Sequence, residues 1–273
     1  MEPKLQRRVQ RYGWDLAAGE YEPLWHSQLA TAQSRLMRSA SLAPGDHVLD
    51  VACGTGLVSF AAAKEVGPGG RVVGVDISGE MVVAARRKAE AYVVPQCTFE
   101  RMDAEKLELP DASFDAALCA LGLMYMPDPA QALREMRRVL KPEGRVSLAV
   151  WGERSRCGWA EIFPIVDAEV DSDVCPLFFQ LGGVGTLATL CLKMGYDSVE
   201  AHRIAVTLDY ADANEMCRAN FVGGPVALAW SKFGPETRTR VCERFVTAMA
   251  PFRYSRGYRL PGEFVVVSAV APG

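Results

Sequence analysis

The stretch Val48–Ser59, VLDVACGTGLVS, decides how the chain is read. An apolar run carrying one acid ends in a glycine turn, and an apolar pattern with helical spacing starts at Leu57. In a strand–turn–helix of this kind, backbone N–H groups point into a crevice at the strand's C-terminal edge, where a nucleotide-bearing ligand can be held. Taken alone, such a turn is explained by glycine's backbone freedom, so its weight depends on its company.

Downstream the chain alternates. His47–Ala52 reads as a strand, Leu57–Val66 as a helix and Arg71–Val75 as a buried strand, with Ser78 capping a helix that runs to about Tyr92. Cys97–Arg101 and Phe114–Ala120 are a third and a fourth strand. Pro129 starts a helix ending near Leu140, and KPEG turns the chain into the strand Arg145–Trp151. The alternation predicts an α/β fold, a parallel sheet with helices on both faces. Upstream, residues 4–41 read as helices rich in aromatics, with Tyr12, Trp14, Tyr21 and Trp25 close together. After Trp151 the rhythm breaks. Residues 152–184 read as irregular, TLATLCLKMGY as a helix ending at Gly195, and Val199–Leu208 as a strand. Helical patterns follow at 211–222 and 235–249, and GEFVVVSAVAP closes with a strong strand. The expected organisation is a single domain over 1–273. A helical cap covers about 1–42, a ligand-binding core about 43–151, and a lid with the C-terminal strands about 152–273.

The 273 residues are 49 % hydrophobic and 23 % charged, with net charge −3, which offers no whole-protein field for a polyanion. A nucleic-acid partner is not expected. The short basic clusters, Arg7 with Arg8, Arg86 to Lys88, and Arg134 with Arg137 and Arg138, read as solvated helix faces. The N-terminus has no apolar core of the signal-peptide kind, and no run approaches the roughly 18 apolar residues of a membrane span. The expectation is a soluble, cytoplasmic protein. Eight cysteines contain no CxxC pair, so they read as reduced, mostly structural thiols, and no metal site is expected.

Asp76 stands twenty residues after Gly56, at the end of the second strand, where an acid can accept hydrogen bonds from ribose hydroxyls. NAD sites and S-adenosylmethionine sites share that feature. Three others separate them. The dinucleotide fingerprint would place its third glycine at 59, where this chain has Ser59. Asp50 precedes the turn, and an acid there suits a ligand carrying an ammonium group and would repel a pyrophosphate. In FERMDAEKLELPDASFD, Asp103 can accept from an adenine amino group and Ala104 can offer its N–H to the ring.

These segments, VLDVACGTG, VVGVDIS, MDAEKLELPDASFD and REMRRVLKPEGRV, resemble in order the motifs of class I S-adenosylmethionine-dependent methyltransferases, most of all the ubiquinone/menaquinone-biosynthesis type and its small-molecule relatives. The resemblance runs from about Ala43 to Trp151. It implies a Rossmann-like, doubly wound sheet of seven strands in the order 3-2-1-4-5-7-6, the last strand (about 263 to 270) antiparallel, with helical lid insertions. It implies S-adenosyl-L-methionine as cofactor, cradled by the backbone of Ala52, Cys53, Gly54 and Gly56. Asp50 would face the amino group and Asp76 the ribose. Ile77 and Met81 would pack on the adenine, Asp103 and Ala104 would read its edge, and the Leu121 carbonyl would meet the ammonium. Tyr21–Glu22 looks like the family's Tyr-Asp pair that folds over the cofactor, and the family usually has glycine at the position of Ala52.

Methyl transfer asks the protein mainly to align an acceptor and exclude water. GLMYMPD, after the fourth strand, resembles the family's stretch beside the acceptor, which makes Met124 and Tyr125 pocket candidates together with Trp14 and His26. Phe178, Phe179 and Phe221 in the lid suggest a small, largely apolar or aromatic acceptor, and Arg154 and Arg156 could meet an acidic substituent. A convergence of Cys157, Cys175 and Cys217, as arsenite methylation would need, has no support in their spacing. No catalytic base is assigned. The alternatives are an NAD(P)-dependent oxidoreductase and a non-catalytic S-adenosylmethionine-binding protein. The acceptor atom (O, N or C) and the oligomeric state, a homodimer included, stay open.

Overall fold

Apolar runs and their glycine-bounded turns become the strands β1 (His47–Val51), β2 (Arg71–Asp76), β3 (Cys97–Arg101), β4 (Phe114–Ala120), β5 (Leu140–Trp151), β6 (Asp197–Tyr210), β7 (Arg253–Tyr254) and β8 (Gly257–Val270). The computed structural model describes residues 2–170 and 175–273; residues 171–174, inside the segment expected to be irregular, lie outside it. The sheet order is β3-β2-β1-β4-β5-β8-β6, with the two-residue β7 paired to β8. Apart from that short addition, this is the order implied by the motifs. Strands β3, β2, β1, β4 and β5 run parallel, and β8 is antiparallel to both β5 and β6. Strand β5 starts earlier than expected. The KPEG segment is taken up in an irregularity between the pairs Phe114–Leu140 and Ala116–Arg145, with Glu143 at φ +61°.

Ten residues of sequence between strands suffice for one amphipathic helix on each crossover. Helices α2 (Leu57–Val66), α3 (Gly79–Ala91) and α4 (Pro129–Val139) fill these places. Their starts are fixed locally. Ser78 Oγ accepts from Met81 N (3.1 Å), and Asp128 Oδ1 accepts from Gln131 N (2.9 Å) ahead of Pro129.

The N-terminal segment, read from sequence as several helices, is one: α1 (Pro3–Ala40) runs 38 residues, about 57 Å, straight through Pro23. It persists because both of its ends are anchored by packing. Leu24, Trp25, Leu29 and Ala32 join the apolar cluster on one face of the sheet, and Leu36, Met37 and Ala40 join the cluster on the other. A proline costs a helix about 3 kcal/mol, less than burying these side chains returns. At the far end, Arg145 binds both the Ser41 carbonyl and Asp46.

The lid contains α5 (Ile162–Asp167), α6 (Thr186–Lys193), α7 (Ala213–Phe221), α8 (Ala227–Lys232) and α9 (Pro235–Ala248). Helices α5 and α8 are six residues each, too short for a periodic signal, and were not expected from the sequence. The α1 helix packs against α3, α7 and α8, so it ties the lid to the core. Among the described residues no helix is long and apolar enough to cross a membrane.

Candidate functional site: a cavity at the glycine turn

The turn after β1 holds three residues in the left-handed region, Ala52 (φ +56°), Gly54 (φ +54°) and Gly56 (φ +88°). Asp76, at the tip of the neighbouring β2, clamps it. Its Oδ2 accepts from Gly54 N (2.9 Å) and its Oδ1 from Ser78 N (2.8 Å). Each carboxylate oxygen keeps a lone pair for a further donor, and Asp76 lines the cavity that opens here. Burial pushes its carboxyl up to about 6, against the backbone donors that hold it down.

The two glycines do different work. Gly54 is on the cavity wall, and a Cβ there would stand 3.9 Å from Tyr21 Cε1 and 4.0 Å from Met81 Sδ. Gly56 faces away: a Cβ would stand 2.8 Å from Phe60 Cε2 and 3.2 Å from Phe99 Cζ. The expectation that Gly56 cradles the ligand is therefore corrected, since its place is a left-handed cap under two aromatic rings. Cys53 is also off the wall. Its side chain is buried in the apolar cluster beside Gly74, and its N–H donates to the Val75 carbonyl (3.0 Å). The methyl of Ala52 is accommodated because residue 122 is glycine, where any Cβ would collide with it.

Asp50 stands behind the wall, 1 % exposed. Ser59 Oγ donates to its Oδ2 (2.5 Å), while Oδ1 is buried with no partner. Burial raises the carboxyl to about 7; neighbouring Asp76 adds to the rise and the Ser59 hydroxyl opposes it. Ser59, in the sequence merely a missing glycine, is the donor that fixes Asp50.

The cavity, about 770 Å³, has Ile77, Met81, Asp103, Ala104 and Leu121 on its walls as expected. Leu121 sits at φ +63° with its N–H donating to the Ala149 carbonyl (2.8 Å). One long side comes from α1: Arg7, Gln10, Trp14 and Tyr21. Arg7 was expected on a solvated face; it instead reaches Asp103 Oδ2 (Nε, 3.2 Å) and pairs with buried Glu105. Arg7, Gln10 and Glu105 were missed. The i, i+3, i+7, i+14 spacing of 7, 10, 14 and 21 was the signal that could have found the α1 residues. Glu22 is not on the wall. It accepts from Thr55 Oγ1 (2.7 Å) in the turn and pairs with Lys88 on α3, which holds Tyr21 over Gly54.

Beyond Trp14, Tyr21, Leu121 and Tyr125 lies a second chamber, about 330 Å³, that shares these four residues with the cavity. Met124, Trp25, Trp151, Trp159 and Phe178 complete most of its wall. The rings interlock edge to face, with Trp14–Tyr125 and Tyr125–Phe178 centroids both 5.3 Å apart and Trp151–Trp159 4.8 Å apart. Burial raises the hydroxyl pKa of Tyr21 and Tyr125 well above the ordinary tyrosine value.

Several expected pocket residues lie elsewhere. His26 is exposed on α1 and lines neither space. Phe221 is fully buried, stacked on Trp230 (4.9 Å) in the core under α9. Phe179 packs on Trp159 from behind (5.9 Å). Arg156 is taken by Glu153 and Glu263. Cys157, Cys175 and Cys217 do not converge. Cys175 receives a bond from Gln10, Cys157 lies against the Glu263 carbonyl, and Cys217 pairs with Cys242.

Sheet order, glycine turn and the acid at the end of β2 define the class I S-adenosylmethionine-dependent methyltransferase architecture, and residues 48–144 match the family described as a methyltransferase domain. The chain carries that domain. The demethylmenaquinone methyltransferase of Listeria welshimeri is 37 % identical over 127 residues, 46 % of this chain and 54 % of that protein. The chain thus spans about half the length of the curated relatives it matches. Phosphoethanolamine N-methyltransferase 2 of Haemonchus contortus, solved with S-adenosyl-L-methionine, superposes with a TM-score of 0.62 at 17 % identity, over 95 % of this chain and 57 % of that one. The cyclase SpnF superposes with a TM-score of 0.58 at 20 % identity, over 89 % and 81 %. At these identities the likeness is one of fold, and the fold serves more than one chemistry.

Proposed function

We propose that the protein transfers the methyl group of S-adenosyl-L-methionine to an O, N or C atom of a small, largely apolar or aromatic acceptor. One observation carries the reading. The cavity at the glycine turn and the aromatic chamber are joined through Trp14, Tyr21, Leu121 and Tyr125, so a cofactor in the first would present one end to a guest in the second. The residues present fit the cofactor: two Asp76 oxygens with lone pairs on the wall, a left-handed Gly54, and an orphaned, buried Asp50 Oδ1 behind it.

When bound, S-adenosyl-L-methionine supplies a methyl group on a sulfonium, activated for in-line displacement. Asp76 holds the ribose hydroxyls, Ile77 and Met81 flank the adenine, and Asp103 and Ala104 read its edge. The Leu121 carbonyl and the negative field of Asp50 favour the amino group. Tyr21, held by Glu22, covers the glycine turn and excludes water. Alignment of this kind lowers a barrier by several kcal/mol, on the order of 7–11 at best. Tyr21 and Tyr125 stay protonated at neutral pH, so neither serves as a base, and the acceptor arrives with a free lone pair or loses its proton to water. Cap, core and lid form one functional unit in this reading, because α1 contributes to both chambers.

Calorimetry with S-adenosylhomocysteine and with NAD⁺ tests the cofactor, and transfer of labelled methyl from S-adenosyl-L-methionine into an extract tests the reaction. Binding of NAD⁺ alone would refute the proposal in favour of an oxidoreductase. Tight binding without any labelled product would make the chain a binder.

A further inference from the structure

Trp159 sits on a single 3-10 turn, Gly158–Glu161, and is 1 % exposed. Its ring is held by Trp151, Phe163 and Phe178, with centroids 4.8, 5.8 and 5.3 Å away. It forms part of the chamber wall, yet its buried Nε1–H has no hydrogen-bond partner. A buried indole N–H usually finds an acceptor, and leaving one unmade costs about 1–3 kcal/mol. The other buried tryptophan from α1 obeys the rule: Trp25 Nε1–H donates to the Ala219 carbonyl (3.0 Å). No residue on the chamber wall carries a formal charge among those described.

We propose that the chamber takes a neutral aromatic acceptor bearing an oxygen, and that Trp159 Nε1–H donates to that oxygen and so orients the ring. The proposal rests on the methyltransferase reading for the word acceptor; the recognition itself is a property of the chamber. Aromatic walls would also attract an organic cation through their ring faces. The unpartnered donor decides between the two guests, because an N–H needs a lone pair and repels a positive charge. The chamber offers no carboxylate to neutralise a cation.

The test is calorimetry on the full chain saturated with S-adenosylhomocysteine, using 2-naphthol, naphthalene and phenyltrimethylammonium as probes. Wild type is expected to bind 2-naphthol more tightly than naphthalene, although naphthalene is the more apolar, and more tightly than phenyltrimethylammonium. Trp159→Phe is expected to weaken 2-naphthol roughly three- to tenfold while leaving naphthalene unchanged within twofold. Trp25→Phe, on the same wall but with its N–H already satisfied, is expected to leave the naphthol-to-naphthalene ratio unchanged. Equal losses for both probes in Trp159→Phe, no loss for either, or the same change of ratio in Trp25→Phe would overturn the assignment. So would a wild type that prefers the cation or binds none of the probes. If Trp159→Phe does not fold, the wild-type order of affinities decides. Failure of wild type to bind S-adenosylhomocysteine would instead refute the cofactor reading, and the two failures are distinct.

Discussion

The buried carboxylate of Asp50 makes the ligand-free fold pH-sensitive in a calculable way. Its carboxyl is held near 7, against 3.8 in an unfolded chain, because burial penalises the charge more than the Ser59 hydroxyl relieves it. Between about pH 4 and 7 the folded state therefore binds a proton that the unfolded state does not. A carboxyl raised in this sense adds stability that is complete below about pH 4 and is lost as pH rises through 7. At pH 6 the protonated form still dominates about tenfold, and by pH 8.5 it has gone. Asp50 alone should thus cost the fold roughly 1–2 kcal/mol over that interval.

The perturbation is Asp50→Asn, which keeps an acceptor for Ser59 and removes the titration. Urea unfolding followed by tryptophan fluorescence at pH 6, 7 and 8.5 gives stability for both proteins. Asp76, with its carboxyl near 6, leaves the variant only a few tenths of a kcal/mol of dependence above pH 6. Histidines and the chain terminus titrate alike in both and cancel in the difference. A uniform change from the new amide shifts the height of one curve and not its slope. The wild type should lose 1–2 kcal/mol more than the variant between pH 6 and 8.5. Parallel curves would refute the account of a carboxylate confined without a full set of partners.

Other consequences follow from the same geometry. Asp76→Asn should weaken S-adenosylhomocysteine binding at least tenfold, and the wild-type affinity should fall as pH drops below about 6, where Asp76 can no longer accept from two hydroxyls; calorimetry at pH 5, 6 and 8 checks both, and a flat profile would exclude Asp76 from the ribose site. Gly56→Ala should cost about 2–3 kcal/mol and lower the melting temperature by roughly 5–10 °C, from its φ of +88° and the closeness of Phe60 and Phe99. Because Gly56 is off the wall, cofactor affinity of the folded variant at low temperature should stay within about threefold. Arg7→Ala removes pairs with Asp103 and Glu105 worth about 1 kcal/mol, so amide exchange in the first three turns of α1 should quicken severalfold and S-adenosylhomocysteine should dissociate faster; unchanged exchange would show that the helix end is held by packing alone.

What could be read in advance was whatever a few neighbouring residues decide. Ser78, Asp128 and the glycines at 54 and 56 act within one turn of chain, and the strands they punctuate alternate in a pattern that fixes the parallel order. Asp76 was legible because strand length and turn length together set its distance from Gly54. The residues that close the site were not legible, because their partners are far away in sequence: Arg7 meets Glu105 after 98 residues, and Gln10 meets Cys175 after 165. The aromatic chamber is likewise assembled from α1, the end of β5 and a lone 3-10 turn. None of those segments shows a period that announces a common cavity. His26 and Phe221 were attractive by residue type, and the helical phase of α1 and the packing under α9 sent them elsewhere.

Ser59 shows where local reading and physical role part. Judged against a dinucleotide fingerprint, it is a defect. In the fold it is the first residue of α2 able to reach back to β1, and its hydroxyl is the only partner that Asp50 has. A glycine there would leave both carboxylate oxygens unmet, at a further cost of about 1–3 kcal/mol, and would raise the carboxyl above its present 7. The acid could then hold its charge at neutral pH only with a cation beside it. Serine and aspartate are thus one device, in which the hydroxyl keeps enough negative charge behind the turn to favour an ammonium while the orphaned oxygen remains for it. Ser59→Gly should therefore shift the alkaline loss of stability to higher pH, and Asp50→Asn should abolish it. If both variants merely flatten the profile alike, the charge behind the turn is not what the serine sustains.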